Sequence, residues 1–166
     1  MLTTIGYEKS DLRDFIATLK VSKIEVLVDI RERAQSRKPG FSKTALSNAV
    51  NEAGIGYVHL RELGDPKAGR DAARAGLFKA FQTIFSKVLE GEEAQAALAK
   101  VELLAKSKRI CLMCYERDHR NCHRKLVSDR LKRTLGCKVL HLGVVESDAE
   151  RRAEGRVLHT CESATT

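Results

Sequence analysis

The segment Arg109 to Leu131 reads RICLMCYERDHRNCHRKLVSDRL and gathers three of the chain's five cysteines, two histidines, acids and several cations around one turn. Thiols, an imidazole and a carboxyl at such short range suit metal ligation, thiol nucleophilic catalysis, or proton transfer beside a bound anion. Cys111 and Cys114 have the spacing of a metal clip, but an odd separation within a strand sends the two side chains to opposite faces. Cys111 therefore reads as a small buried hydrophobe. Cys114 and Glu116 share a face at the strand's carboxyl end. Cys122 and His123 stand one turn before Leu126 and Val127, where the buried stripe of the next helix begins, so both aim inward. Cys114, Glu116, Cys122 and His123 are expected to converge.

Each chemistry meets an obstacle. Cys114, Cys122 and His123 are suitable zinc ligands, with Glu116 as a fourth ligand or a general base. The seven residues between the two cysteines match no usual paired framework, so no metal is assigned and the cofactor stays unknown. Cys114 and Arg120 have the Cys-x(5)-Arg spacing of phosphatase and rhodanese-type sites, in which helix amides hold an anion and lower the thiol pKa. That loop has no glycine for a tight cradle, and Glu116 and Asp118 repel an anion. In the third arrangement, Arg124 and Lys125 sit against the helix dipole in a first turn, a local cost that points to a task. With Arg31 and Arg33 from another strand end they would clamp an anion while His123 or Glu116 moves a proton.

These groups need a scaffold that brings strand ends together. Leu2 to Ile5, closed by Gly6, and Ile24 to Val28, ending at Asp29, read as buried strands. Leu12, Phe15, Ile16 and Leu19 between them mark a helix capped by Ser10 or Asp11. Ser42 can cap a second helix through Leu46 and Val50 to Gly54. Ile55 to Leu60 is a third strand, and Arg61 to Gly76 a loop or partly helical flap. Two helices follow, around Phe78 to Val88 and Ala97 to Ala105, and Arg109 to Cys114 and Cys137 to Leu142 supply two more strands.

The alternation predicts one α/β domain over residues 1–145, with a mainly parallel, Rossmann-like sheet of about five strands and helices on both faces. Residues 146–166 read as a polar appendage. In such a sheet ligands sit beyond the strand carboxyl ends, which directs attention to Gly6-Tyr7, Asp29-Ile30-Arg31 and Cys114 to Arg124. Asp29 and Arg31 share a face and enter one crevice.

Composition bounds the partners. The net charge of +8 is concentrated: Arg31 to Lys43 holds five cations and one anion, and Arg117 to Arg133 seven and two. On one face these would attract an anionic small molecule or nucleic acid; otherwise they are a solvated surface. Aromatics make up only 5% and Trp is absent, which argues against base-stacking platforms. No run approaches a membrane span and no secretory leader is visible, so a cytoplasmic protein with reduced thiols is expected.

Thr4-Ile5-Gly6-Tyr7, Leu27-Val28-Asp29-Ile30-Arg31, Ser36 with Lys38-Pro39-Gly40-Phe41, Gly54-Ile55 with Tyr57, Leu63-Gly64, and above all Cys114-x-Glu116 with Cys122-His123-Arg124 carry a family resemblance. Over Leu2 to Leu142 the chain resembles the domain-of-unknown-function 488 family. The resemblance implies a cytoplasmic, mainly microbial α/β protein with a site from Gly6, Asp29, Arg31, Cys114, Glu116, Cys122, His123 and Arg124. It implies no activity. Members usually carry Gly-His where Gly6-Tyr7 stands and a Pro soon after Asp-x-Arg, so the first imidazole of the pattern is missing.

The combined expectation is a protein that binds and acts on a phosphate-bearing or nucleic-acid-derived anion. Catalysis falls to Glu116, His123, Cys122, Cys114 and Asp29, and substrate binding to Gly6, Tyr7, Arg31, Arg33 and Arg124. The alternatives are a non-catalytic nucleic-acid-binding module and a rhodanese- or phosphatase-like cysteine enzyme. Oligomeric state is left open.

Overall fold

Short apolar runs closed by Gly or Asp become the strands of this chain, and stretches with helical periodicity become its helices. The computed structural model describes residues 1–144, so the appendage expected over 146–166 lies outside the described residues. In chain order the elements are β1 (Leu2–Gly6), α1 (Leu12–Val21), β2 (Val26–Asp29), α2 (Lys43–Glu52), β3 (Gly56–His59) and α3 (Lys67–Arg74). Then come α4 (Phe78–Glu90), α5 (Glu92–Ser107), β4 (Ile110–Cys114), α6 (His123–Leu135) and β5 (Val139–Leu142).

All strand pairs are parallel, in the order β3-β2-β4-β1-β5. The steps from β1 to β2 to β3 pass over one face through α1 and α2. Those from β3 to β4 to β5 return over the other through α3 to α6, as a single crossover hand requires. On the first face Phe15, Leu19, Leu46 and Val50 pack against Ile5, Leu27, Cys111 and Met113. On the second, Phe81, Phe85, Val101, Val127 and Leu131 cover Val28, Ile110 and Leu112. β4 is the middle strand, and its residues alternate between the two cores.

Register brings the strand ends level: Gly6 stands opposite Cys114 on β4, and Asp29 opposite Met113. The connections leaving the adjacent strands β4 and β1 depart to opposite sides, which opens a crevice above their carboxyl ends.

At their edges the elements meet some expectations and depart from others. Ile24 is buried but precedes β2: its N–H bonds the Leu19 carbonyl and closes the turn after α1. Asp11 caps α1, accepting from the Asp14 N–H. Ser42 precedes α2, but its hydroxyl donates to the Ser36 carbonyl, not to the helix, and so ties down the preceding loop. The expected flap holds a 3-10 turn, Arg61–Leu63, and then α3.

Candidate functional site

The β2 end is built around a buried ion pair. Asp29 is fully buried and Arg31 5% exposed, two residues apart on one face. Arg31 Nε and Nη2 bond the Asp29 carboxylate at 2.9 and 2.6 Å, while Nη1 reaches the Tyr7 hydroxyl and the Phe41 carbonyl at 3.0 and 2.8 Å. Tyr57 donates its hydroxyl to Asp29 at 2.6 Å. Burial opposes the Arg31 charge, but the bonds and charge of Asp29 outweigh it and raise its pKa further. Burial and the neighbouring Asp29 charge likewise raise Tyr57. Asp29, expected among the catalytic groups, is thus engaged in holding Arg31 in place.

The β4 end is different. Strand parity puts Cys111 in the opposite core, where burial pushes its thiol up to about 12. Cys114 follows the parity of Leu112 and faces α6. Cys122 is the N-cap of α6, its sulfur accepting from the Arg124 N–H at 3.4 Å. Val127 and Leu131 anchor that helix on the sheet and swing His123, one turn earlier on the same stripe, over the end of β4. Cys114 Sγ then lies 3.2 Å from Glu116 Oε2 and 3.7 Å from His123 Nδ1, and Cys122 Sγ lies 3.9 Å from the same Nδ1. His123 Nε2 is 2.9 Å from the Ile30 carbonyl oxygen, and Phe85 packs on the ring at 5.2 Å between centroids.

Mutual proximity divides these groups electrostatically. Burial disfavours ionised Cys114, but the hydrogen bond from Cys122 and the charge of His123 overcome it and hold the thiol well below its usual range. Burial and the same neighbour push Cys122 well above that range. Burial opposes protonation of His123, yet the Cys114 thiolate and the Ile30 carbonyl raise it to about 9. Burial and the Cys114 charge lift Glu116 to about 7. Cys114 therefore has the greater thiolate character of the pair, and Glu116 is able to give or take a proton near neutrality.

These groups open onto a cavity of about 540 Å³. Its buried lining includes Tyr7, Arg31, Asp65, Cys114 and His123, with Glu116 partly exposed; its exposed lining includes Arg33, Arg37, Lys67 and Arg74. Arg33 and Arg37 form no ion pair among the described residues, whereas Lys67 pairs with Asp71 and Arg70 with Glu32. Cys114, Glu116, His123, Tyr7, Arg31 and Arg33, all expected at the site, line this space together.

Besides Asp29, three others are placed elsewhere. Arg124 is 1% exposed and donates to the carbonyls of Glu116 and Arg117 at 2.9 and 3.3 Å, with its Nε unpartnered. Gly6 lies beneath the same loop: a Cβ there would stand 1.8 Å from the Glu116 carbonyl oxygen and 2.6 Å from Arg124 Nη1. Both shape the loop that carries Cys114 and Glu116. Cys122 faces its two neighbours and not the cavity.

The phosphatase-type arrangement also fails. Arg120 is exposed and pairs with Asp118, and the carbonyls of Cys114 to Arg117 point inward, onto Tyr7 N, Glu8 N and Arg124. No amide cradle for an anion forms there. Nor does the second basic segment join the first, since Arg124 is buried and Lys125 pairs with Asp129. The cations that accompany Arg33 and Arg37 come instead from α3. That region also supplies Asp65, a 6%-exposed acid with Oδ1 unpartnered, which no motif or periodicity in the sequence marks. Burial, against the opposing charges of His123 and Arg70, raises its pKa to about 6.

The fold and site together define a parallel α/β protein with a buried cysteine–histidine–carboxylate centre at the switch point of its sheet. Residues 11–131 match the family described as "Domain of unknown function DUF488", and the chain belongs to that family. No curated protein and no solved structure matches it. Among the described residues no helix is long and apolar enough to cross a membrane.

Proposed function

We propose that this protein is a hydrolytic enzyme acting on a phosphate-bearing molecule of nucleotide size, with the phosphate on the exposed arginines and the reacting part against Cys114, Glu116 and His123. The observation that carries this reading is the separation of charge within one cavity. Cations outnumber acids on its exposed lining, where Asp71 is paired with Lys67, while at its floor the carboxyls of Glu116 and Asp65 and the Cys114 thiol stand beside His123 and an Arg31 already neutralised by Asp29. A phosphate is repelled from the floor and attracted to the mouth, so it acts as a handle and not as the reacting group. A volume of about 540 Å³ is within the usual range for small-molecule sites. Tyr115, half exposed and edge-on to Tyr7 at 5.3 Å, offers aromatic surface to a planar group.

Glu116 is the proton carrier. Water attacks an electrophilic centre at the floor and loses its proton to Glu116. The bond to the leaving group breaks with its electron pair, which takes that proton. Free cysteines fit a cytoplasmic setting.

Calorimetric titration with inorganic phosphate and a panel of nucleoside mono- and diphosphates tests the reading, followed by mass spectrometry of products. Binding should weaken at least about tenfold in Arg33→Ala/Arg37→Ala, and Glu116→Gln should bind yet yield no product. Failure to bind any phosphorylated probe overturns it, as does product formation by Glu116→Gln. Salt-sensitive binding of nucleic acid without turnover would identify a non-catalytic module instead.

A second reading has its own observation, the thiolate character of Cys114. There the sulfur, not water, forms the first bond to the substrate, and water later releases the group. It expects iodoacetamide to label Cys114 faster than Cys122 in the chelator-treated protein, and equal rates would exclude it.

A further inference from the structure

Cys114 and His123 at the cavity floor, with Cys122 just behind them, are soft or borderline metal ligands, and two different elements supply them. Cys114 ends β4, whereas Cys122 and His123 lie at the start of α6, so the spacing rules for ligand pairs within one loop do not apply to them. One ligand atom from each of Cys114, Cys122 and His123 lies within 4.8 Å of the other two, and all three side chains are buried. A tetrahedral zinc ion, with bonds of about 2.3 Å to sulfur and about 2.0 Å to nitrogen, has edges of about 3.8 Å between sulfurs and about 3.5 Å from sulfur to nitrogen. His123 Nδ1 stands 3.7 and 3.9 Å from the two sulfurs. Shifts of a few tenths of an ångström bring both edges to the ideal.

The far side of the imidazole completes the argument. A carbonyl oxygen only accepts, so the contact with Ile30 leaves a hydrogen on Nε2 and presents Nδ1 to the sulfurs. Metal-binding histidines are oriented by such a bond on the second nitrogen.

We propose that Cys114, Cys122 and His123 bind a soft divalent cation, zinc foremost, with the fourth coordination position open to the cavity beside Glu116. Two thiolates disfavour magnesium, calcium and manganese. Binding releases two protons in total from the two thiols and the imidazole Nδ1. Three protein ligands and one open position are the arrangement of a reactive zinc site, not of a closed structural one. Glu116 Oε2, 3.2 Å from Cys114 Sγ, stands where it can take the proton of a metal-bound water. That last role rests on the proposed function; the ion's presence does not.

The test is metal analysis of the full chain after zinc loading and gel filtration, with the absorption spectrum of the cobalt-loaded protein. One zinc per chain and a thiolate-to-cobalt charge-transfer band are expected. Cys122→Ser and His123→Ala should each weaken affinity at least about tenfold, while Glu116→Gln and the control Cys137→Ser retain the metal. Absence of zinc from the wild-type chain, a cobalt spectrum without the thiolate band, or unchanged affinity in a folded Cys122→Ser protein overturns the proposal. Circular dichroism establishes folding of each variant, and the wild-type spectrum decides the matter even if a variant fails to fold. Loss of phosphate or nucleotide binding alone would sink the substrate reading and leave the metal result intact.

Discussion

The ends of β2 and β4 begin alike and finish as opposites. Each follows a buried apolar strand, and each carries polar side chains two residues apart that turn to the same face. At β2 the needs are met: both Asp29 oxygens accept bonds, and Arg31 Nε and both terminal nitrogens have acceptors. At β4 the groups meet mainly one another, two thiols around one imidazole nitrogen and an acid against one of the thiols. At the saturated end the shifts carry Arg31 and Tyr57 further from neutrality, as in a structural brace, whereas at the other they draw Cys114 and Glu116 toward it, where protons exchange. Burial alone does not distinguish the two ends; what the partners are does.

The contrast is sharpest where a brace is removed. Asp29→Ala leaves Arg31 charged and uncompensated in the core, and urea unfolding should show a loss of about 3–5 kcal/mol. A cost below about 1 kcal/mol would erase the distinction. Gly6→Ala should come next, at about 1–3 kcal/mol by thermal melting, because the new methyl displaces the loop bearing Glu116. It should also remove activity, although residue 6 lies beneath the loop and offers no reactive group.

Glu116 is expected to behave in the opposite sense from Asp29. Its carboxyl binds a proton more tightly in the folded chain than in the unfolded one, so stability falls as pH rises from about 4.5 to about 7 and is level above that. In the presence of a chelator, Glu116→Gln should remove this slope and gain about 1–2 kcal/mol on the wild type at pH 8, after allowance for its partial exposure. A slope that survives the substitution would assign it to another group. Smallest of all, Arg33→Ala and Arg37→Ala should change stability by no more than about 0.5 kcal/mol while shallowing the salt dependence of phosphate binding.

Periodicity carried much of this into view from the sequence. The two-residue repeat of a strand was enough to separate Cys111 from Cys114, and the helical repeat that buries Val127 and Leu131 was enough to turn His123 inward. Both are local rules. What they could not reach depends on which loops meet. Arg124 looked like an anion ligand because it opens a helix, but its guanidinium satisfies carbonyls of the preceding loop. Arg120 had the right spacing from Cys114 and turned to Asp118 instead. The second set of cavity cations came from α3, whose position beside the Arg31–Arg37 segment follows from the β3 crossover and leaves no mark in the periodicity of either stretch.

The strand order has a bearing on how the chain is made. β2 and β1 are not neighbours; the place between them belongs to β4, which is synthesised some eighty residues after β2. A ribosome that has released only β1, β2 and β3 has therefore delivered two sheet edges facing a vacant slot, each with unpaired N–H and C=O groups. The strand that fills the slot also brings Cys114 to Cys122 and His123. Assembly of the reactive centre is thus the event that closes the sheet, and until then the nascent chain is exposed to edge pairing with other chains.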